Sequence, residues 1–379
     1  MNGPFMDGAL ASIGIRRLFN FLFLPSTPFS LAAFIGLDSW GPRGWWHAVA
    51  LHAVTWAFWL GILAGLVRWW RRVRAPQLTS PAEPPHASRR RFLADTLFGS
   101  AGVAGAAGWG ISTARSPWSF DVGRYRVALR DLPPGLDGLR LVQISDTHLG
   151  PRIPADYIRR VVEAALAEQP DVFVLSGDYV HNGPMYIGPA AELFRPLTAT
   201  GRPVVGTLGN HDWYAGGPAM SRALAEAGVR MLDNRRTFLD ARTRRLVDSP
   251  DQPQGVLCIA GLGDLKTDTL DPHAALEGVP QHIPRLVISH NPDSAERTNV
   301  AQGPRIDLML SGHFHGGQIQ LPFLGNPFMK GENGDKYLSG IVHGPAFPVL
   351  VSRGLGMSVL PIRINCTPEL VVLTLTSSR

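Results

Sequence analysis

The stretch Asp307-Leu-Met-Leu-Ser-Gly-His-Phe-His-Gly-Gly-Gln318 decides how this chain is read. Its Leu/Met run reads as a buried strand ended by the turn-forming Ser311-Gly312, so that His313 and His315 leave on one side with a single residue between them. Two imidazoles presented together at a strand end point to a metal site. Taken alone, the pair is better read as a polar turn that happens to carry histidines. What separates the two readings is whether other strand ends supply carboxylates and further histidines.

They do. Leu-Val-Gln-Ile-Ser runs into Asp146-Thr-His148, Val-Phe-Val-Leu-Ser-Gly into Asp178, Val-Val-Gly-Thr-Leu-Gly into Asn210-His211-Asp212, and Leu-Val-Ile-Ser into His290. Between these runs lie helical patterns over Pro154–Glu168, Pro189–Thr198 and Pro218–Ala227. Further strand-like segments cover Val229–Asp233, Gly255–Leu262, Arg285–Ser289, Asp307–Leu310, Pro348–Arg353 and Ile362–Leu375. Repeated βα winding followed by more strands predicts an α/β sandwich, two mixed sheets flanked by helices. In open α/β sheets the ligand site forms beyond the carboxyl ends of the strands, so groups far apart in sequence can converge there. Carboxylate, carboxamide and imidazole donors together suit Mn, Fe or Zn rather than Ca or Mg. Singly, Asp146, Asp178 and His290 each read as an N-cap or a satisfied buried polar group; as a set, that reading is poor.

The ordered series Asp-x-His, Gly-Asp, Gly-Asn-His-Asp, His and Gly-His-x-His resembles the calcineurin-like metallophosphoesterase family, from about residue 138 to the end of the chain. Ser88-Arg-Arg-Arg-Phe-Leu93, Gly-Asp-Tyr-Val, His-Asn-Pro-Asp-Ser and a terminal Asn-Cys-x-Pro-Glu are similar to the exported YkuE/YaeI-type phosphodiesterases. That subgroup is in turn similar to enzymes that hydrolyse UDP-2,3-diacylglucosamine. The resemblance implies two divalent metal ions: one held by Asp146, His148 and His315, the other by Asn210, His290 and His313, with Asp178 bridging. It implies attack by a metal-bridging hydroxide, with His211 at the transition state or the leaving oxygen and Asp212 orienting its ring. Gly177, Gly209 and Gly312 fall where close backbone approach is required. No residue is singled out for binding substrate; Arg353, His181 and His343 are weak candidates. For Arg353, pairing with an acid is the better reading.

The first 116 residues differ in texture. Seven of the ten tryptophans precede residue 71. Leu18–Leu37 is apolar apart from Asn20 and Pro25-Ser-Thr-Pro28, and Trp45–Val67 carries no formal charge between Trp45-Trp46 and Trp69-Trp70. Residues 1–70 therefore predict two transmembrane segments with an aromatic belt. Residues 71–95 form a basic, Pro-rich linker that includes the twin-arginine motif, and residues 96–116 form a third apolar segment or signal core. The positive-inside rule then places the domain from residue 117 to 379 outside the cytoplasm, anchored to the cell (inner) membrane.

Charge is segregated in the same way. Through Arg115 there are 11 arginines against 4 acidic residues, and the remainder balances to −1. The catalytic part is not basic, which argues against nucleic-acid binding, and the pairs Arg235-Arg236 and Arg244-Arg245 are expected on a hairpin. Cys258 and Cys366 sit in apolar runs and read as buried free thiols. The expected function is a membrane-anchored phosphodiesterase acting on a phosphodiester or lipid-linked phosphate. One alternative is a pyrophosphatase of the UDP-2,3-diacylglucosamine type. The other is a tethered interaction module without catalysis, which ought to have lost ligands that are all present here.

Overall fold

In the strands that follow Leu139, apolar side chains alternate between two faces and both faces are buried, which requires a layer on each side of the sheet. The computed structural model describes residues 118–249, 255–320, 325–327, 329, 331–358 and 362–378. Its elements in chain order begin with β1 (Asp121–Leu129), β2 (Leu139–Ile144), α1 (Ala155–Ala167), β3 (Val172–Leu175), α2 (Ile187–Thr198), β4 (Val204–Gly206), α3 (Asn210–Glu226) and β5 (Arg230–Met231). Then come β6 (Arg235–Asp240), β7 (Leu246–Val247), β8 (Val256–Gly261), α4 (Pro272–Leu276), β9 (Arg285–Ile288), α5 (Thr298–Ala301) and β10 (Leu308–Ser311). The chain closes with β11 (Gly340–His343), β12 (Pro348–Val351) and β13 (Glu369–Ser377).

Two mixed sheets result, ordered β1-β13-β2-β3-β4-β5 and β11-β12-β10-β9-β8-β6-β7. The strands that lead into the site are parallel within each sheet: β2 to β3 to β4 in the first, and β8 to β9 to β10 to β12 in the second. The alternation sorts side chains into three apolar layers. Leu139, Leu141, Val172, Val174, Leu257, Ile259, Leu286, Ile288, Leu308 and Leu310 fill the space between the sheets. Val142, Ile144, Phe173 and Leu175 face α1 and α2, where Val161, Ala165, Ala190 and Phe194 meet them. Cys258, Val287, Met309 and Val349 pack on the far side with Leu276 of α4.

The expected sandwich is therefore present, with differences at particular ends. The third helix starts at Asn210, not Pro218: Gly209 caps it and the Asp212 side chain returns to the Gly209 N–H at 2.9 Å, while Gly216 (φ 131°) bends it before Pro218. The last strand starts at Glu369, because Ile362–Pro368 runs outside the sheet and carries Arg363 into the interior beside the site. Strands β1 and β11 went unanticipated; both are exposed on alternate residues, and β1 is held through its register with β13. The arginine pairs do sit on an antiparallel hairpin, with Phe238 opposite Val247 and Leu239 opposite Leu246. Both cysteines are free and buried. Among the described residues no helix is long and apolar enough to cross a membrane. The two predicted spans, the linker with its twin-arginine motif and the third apolar segment lie outside the described residues.

Candidate metal centre

Each parallel strand delivers its polar residues at its carboxyl end. Asp146 and His148 follow β2, Asp178 follows β3, Asn210 opens α3 after β4, His290 follows β9, and His313 and His315 follow β10. Besides an all-histidine group, His148–His181–His211, two groups of ligand atoms that contain a carboxylate form, Asp146–His148–His315 and Asp178–His290–His313, each with its atoms within 4.8 Å of one another. Asp178 stands between them: its Oδ2 is 3.2 Å from His290 Nε2 and 3.5 Å from His148 Nε2. Within the groups, His148 Nε2 lies 2.9 Å from His315 Nε2, and His313 Nδ1 lies 3.2 Å from His290 Nε2.

Each close nitrogen pair needs either a ring hydrogen or a bound cation between the two atoms. Burial pushes His148, His313 and His315 well below the ordinary imidazole range, which leaves neutral rings with a free lone pair each. Burial pushes His290 the same way, but the charges of Asp178, Asp146 and Asp264 outweigh it and raise the ring to about 10. Asp146 is pushed up to about 6 by burial, opposed by the His290 charge. Asp178 is buried too, yet His290 and His211 hold it well below the carboxylate range. Asn210 Oδ1 is buried with no hydrogen-bond partner. An orphaned carboxamide oxygen, two carboxylates and inward-facing imidazoles are a donor set that fits divalent transition metals.

The backbone is strained at these residues. Asp146 (φ 55°), His148 (φ 48°), Asp178 (φ 56°), His313 (φ 73°) and His315 (φ 50°) all adopt left-handed conformations, each costing about 1 kcal/mol or more outside glycine. Hydrogen bonds hold them there: Asp146 N–H to the Gly177 carbonyl (2.9 Å), His148 N–H to the Asp178 carbonyl (3.0 Å) and His313 N–H to Asp146 Oδ1 (3.0 Å). Gly209 allows a close approach, since a Cβ there would stand 2.6 Å from Asp178 N and 2.8 Å from His290 Nε2.

Residues 139–317 match the Calcineurin-like phosphoesterase family. The chain is 30% identical over 292 residues to Phosphodiesterase YaeI of Escherichia coli, an alignment covering 76% of this chain and 99% of that protein. The chain belongs to the calcineurin-like phosphoesterase family. It is also 32% identical over 296 residues to the metallophosphoesterase YkuE of Bacillus subtilis, covering 77% of this chain and 98% of the relative. Similarity extends to the UDP-2,3-diacylglucosamine pyrophosphatase LpxG of Chlamydia trachomatis, 26% over 222 residues, or 50% of this chain and 67% of that one. This protein is a metal-dependent phosphohydrolase, and the reading of it as a module without catalysis is set aside.

Around the two groups the phosphoesterase places its remaining polar residues in a way the sequence only partly foretold. His211 stands edge-on to His148, ring centroids 4.8 Å apart, and its Nδ1 lies 2.5 Å from the His181 carbonyl oxygen. That carbonyl orients the ring. The expectation that Asp212 does so is corrected: its Oδ2 accepts the N–H groups of Asp178 (2.8 Å) and Gly209 (2.9 Å), and its Oδ1 those of Tyr179 (2.9 Å) and Val180 (3.3 Å). Adjacent helical residues point about 100° apart, so Asp212 faces the β3 turn while His211 faces the site. The His181 ring stacks on His211 at 5.1 Å, which draws a weak candidate into the site wall. Arg353 lies 3.5 Å from Glu369 and 3.8 Å from Asp121, as the acid-pairing reading expects. His343 is exposed on β11 and belongs to none of the groups. Two residues went unnoticed in the sequence. Lys266 Nζ lies 3.1 Å from His313 Nε2, and Arg363 reaches His315 with its Nη2 3.1 Å from Nδ1.

Proposed function

We propose that this phosphoesterase is a dinuclear phosphodiesterase anchored to the membrane, with its catalytic domain on the extracytoplasmic side. The observation that carries the reading is the position of Asp178, whose single oxygen is shared between the two groups of ligand atoms. In this arrangement Asp146, His148 and His315 would hold one divalent ion and Asn210, His290 and His313 the other, with Asp178 placed to serve both. When bound, the ions polarise the phosphoryl oxygens and lower the pKa of a water toward neutrality.

The chain's own residues supply the rest. A carbonyl oxygen only accepts, so the His181 carbonyl requires the proton of His211 on Nδ1. Nε2 is then the atom that carries or releases a proton toward the leaving-group oxygen. Asp212 holds the Asp178 turn rigid through four backbone amides, and Gly209 lets α3 approach it closely. Membrane attachment is supported by the uncharged Trp45–Val67 run between paired tryptophans and by the segregated arginines.

The test is hydrolysis of bis(p-nitrophenyl) phosphate, which should require added Mn, Fe or Zn and disappear in Asp178→Ala and in His211→Ala. Full activity in both variants of a folded preparation would overturn the reading. The similarity to the Chlamydia pyrophosphatase favours a second reading, hydrolysis of the diphosphate of a lipid-linked nucleotide sugar. A reporter fused after Arg115 separates the two, because a cytoplasmic domain favours the nucleotide-sugar substrate and an external one favours the phosphodiesterase.

A further inference from the structure

The loop between β8 and α4 is fixed at every step. Asp264 is fully buried, and its Oδ2 accepts the N–H of Lys266 (2.9 Å), the N–H of Thr267 (3.0 Å) and the Thr267 hydroxyl (2.8 Å). Asn234 Oδ1 accepts the N–H groups of Gly263 (2.9 Å) and Asp271 (3.1 Å), and Asn299 Nδ2 donates to the Leu270 carbonyl at 3.0 Å. On this rigid base the Lys266 side chain is exposed, with its ammonium 3.1 Å from His313 Nε2. Among the described residues no carboxylate pairs with it, whereas Lys336 pairs with Glu296.

Whether His313 Nε2 can accept from this ammonium depends on which ring nitrogen carries the hydrogen. His313 turns Nδ1 toward His290, and if that nitrogen held a metal ion the ring hydrogen would lie on Nε2. An ammonium offers only donors, and two facing donors cannot share a hydrogen bond. The exposed ammonium of Lys266 then has its donors free for an acceptor that enters the mouth of the site from outside the chain. The His313 ring stands between the ammonium and Asp178, so the acceptor belongs to a group beside the reacting phosphoryl, not to the phosphoryl itself. His211, the proton donor of the proposed function, lies instead in the His148–His181 group and meets Tyr214, 60% exposed, edge-on at 5.6 Å.

We propose that Lys266 forms an anion subsite that selects substrates carrying a second phosphate-like group next to the scissile phosphoester, oriented toward His313 and away from His211. The assignment rests on the phosphodiesterase reading for its catalytic arm and stands apart from it in binding.

The experiment uses the full-length, metal-loaded protein and Lys266→Met, Lys266→Glu and Lys266→Arg. Substrates are bis(p-nitrophenyl) phosphate, whose two arms are neutral, and bis(p-nitrophenyl) diphosphate, whose second phosphoryl is charged. Methylenediphosphonate binding is followed by calorimetry, with metal content checked in each variant. One lost charge-assisted hydrogen bond corresponds to about ten-fold or more in affinity. In Lys266→Met the KM for the diphosphate should rise about ten-fold relative to that for the monophosphate diester, and the Kd for methylenediphosphonate should rise similarly. Lys266→Glu should discriminate further, and Lys266→Arg should recover part of the loss. Equal losses on both substrates together with reduced metal content would make Lys266 a support for His313 and overturn the proposal, as would unchanged methylenediphosphonate binding in Lys266→Met. If the parent protein cleaves neither substrate, the phosphodiesterase reading fails, while the calorimetry still judges Lys266.

Discussion

Asp212 accepts the backbone N–H of Asp178 at 2.8 Å through the same oxygen that takes the Gly209 N–H at 2.9 Å. One carboxylate oxygen thus ties the end of β3 to the start of α3, and the second oxygen secures the next two residues. Asparagine has the same shape, but its NH2 would face amide N–H groups whichever way it turned. Unpaired buried donors cost about 1–3 kcal/mol each, so Asp212→Asn should lower the unfolding free energy by about 2–4 kcal/mol. Urea titration of the metal-free protein measures that loss, and metal analysis should show weakened binding at Asp178. A variant with parental stability and metal content would show that the clamp is dispensable.

His211 and His181 separate side-chain from main-chain roles at one contact. The His181 carbonyl that holds His211 Nδ1 survives any substitution at 181, whereas removing the His211 ring deletes the proton donor itself. His211→Ala should lose about 10²- to 10⁴-fold in kcat with metal content intact, the usual contribution of a general acid. His181→Ala forfeits only the stacked ring and should fall by less than about ten-fold, near the worth of one ordinary contact. Steady-state kinetics on one phosphodiester decide it, and equal losses in the two variants would place the His181 ring in the chemistry.

Strand ends were legible in the sequence because buried parallel strands read as unbroken apolar runs, and a metal-capable residue after each run stands out. The helix start at Asn210 was hidden by Gly216-Gly-Pro218, which breaks the periodic pattern where the helix bends. Asp212, which the resemblance implies as the orienter of His211, turns to the Asp178 and Gly209 amides instead, since neighbours in sequence diverge on a helix. Lys266 and Arg363 carry no local signal at all. Their positions depend on Asp264 and Asn234 folding one loop, and on carbonyls of three separate segments meeting one guanidinium.

Asp233 gives the fold a pH dependence away from the site. Burial pushes its carboxyl up to about 6, against the pull of the Leu208 N–H that donates to Oδ1 at 2.8 Å. The folded protein therefore binds this proton more tightly than the unfolded chain, whose value lies near 3.8. The stabilisation is complete below pH about 4, is lost as pH rises to about 6, and stays lost above that. Asparagine keeps the acceptor and removes the charge. Asp233→Asn should match the parent near pH 3.5 and exceed its stability by on the order of 2 kcal/mol at pH 7, as read by urea unfolding across that range. A difference that does not change with pH would assign the effect to packing.

Arg363 draws together the backbone behind His315. Its Nη2 donates to the carbonyls of Arg353 (2.8 Å), Gly354 (3.1 Å) and Gly356 (2.6 Å), its Nε to Gly356 (3.1 Å), and its Nη1 to His315 (3.2 Å). Lysine brings the same charge but no planar fork, so it cannot reach these carbonyls at once. Arg363→Lys should therefore cost about 2–4 kcal/mol, the sum expected when several buried acceptors lose a charged donor. The loss is directional, because these carbonyls belong to the turn that carries His315 and to the loop packed on Asp146, where Gly354 and Gly356 make close approach. Metal should leave the Asp146–His148–His315 group at a lower chelator concentration than in the parent, while the Asp178–His290–His313 group keeps its ion. Metal content measured along an EDTA titration tests this, and simultaneous loss of both ions at the parental midpoint would show that Arg363 supports the fold without positioning His315.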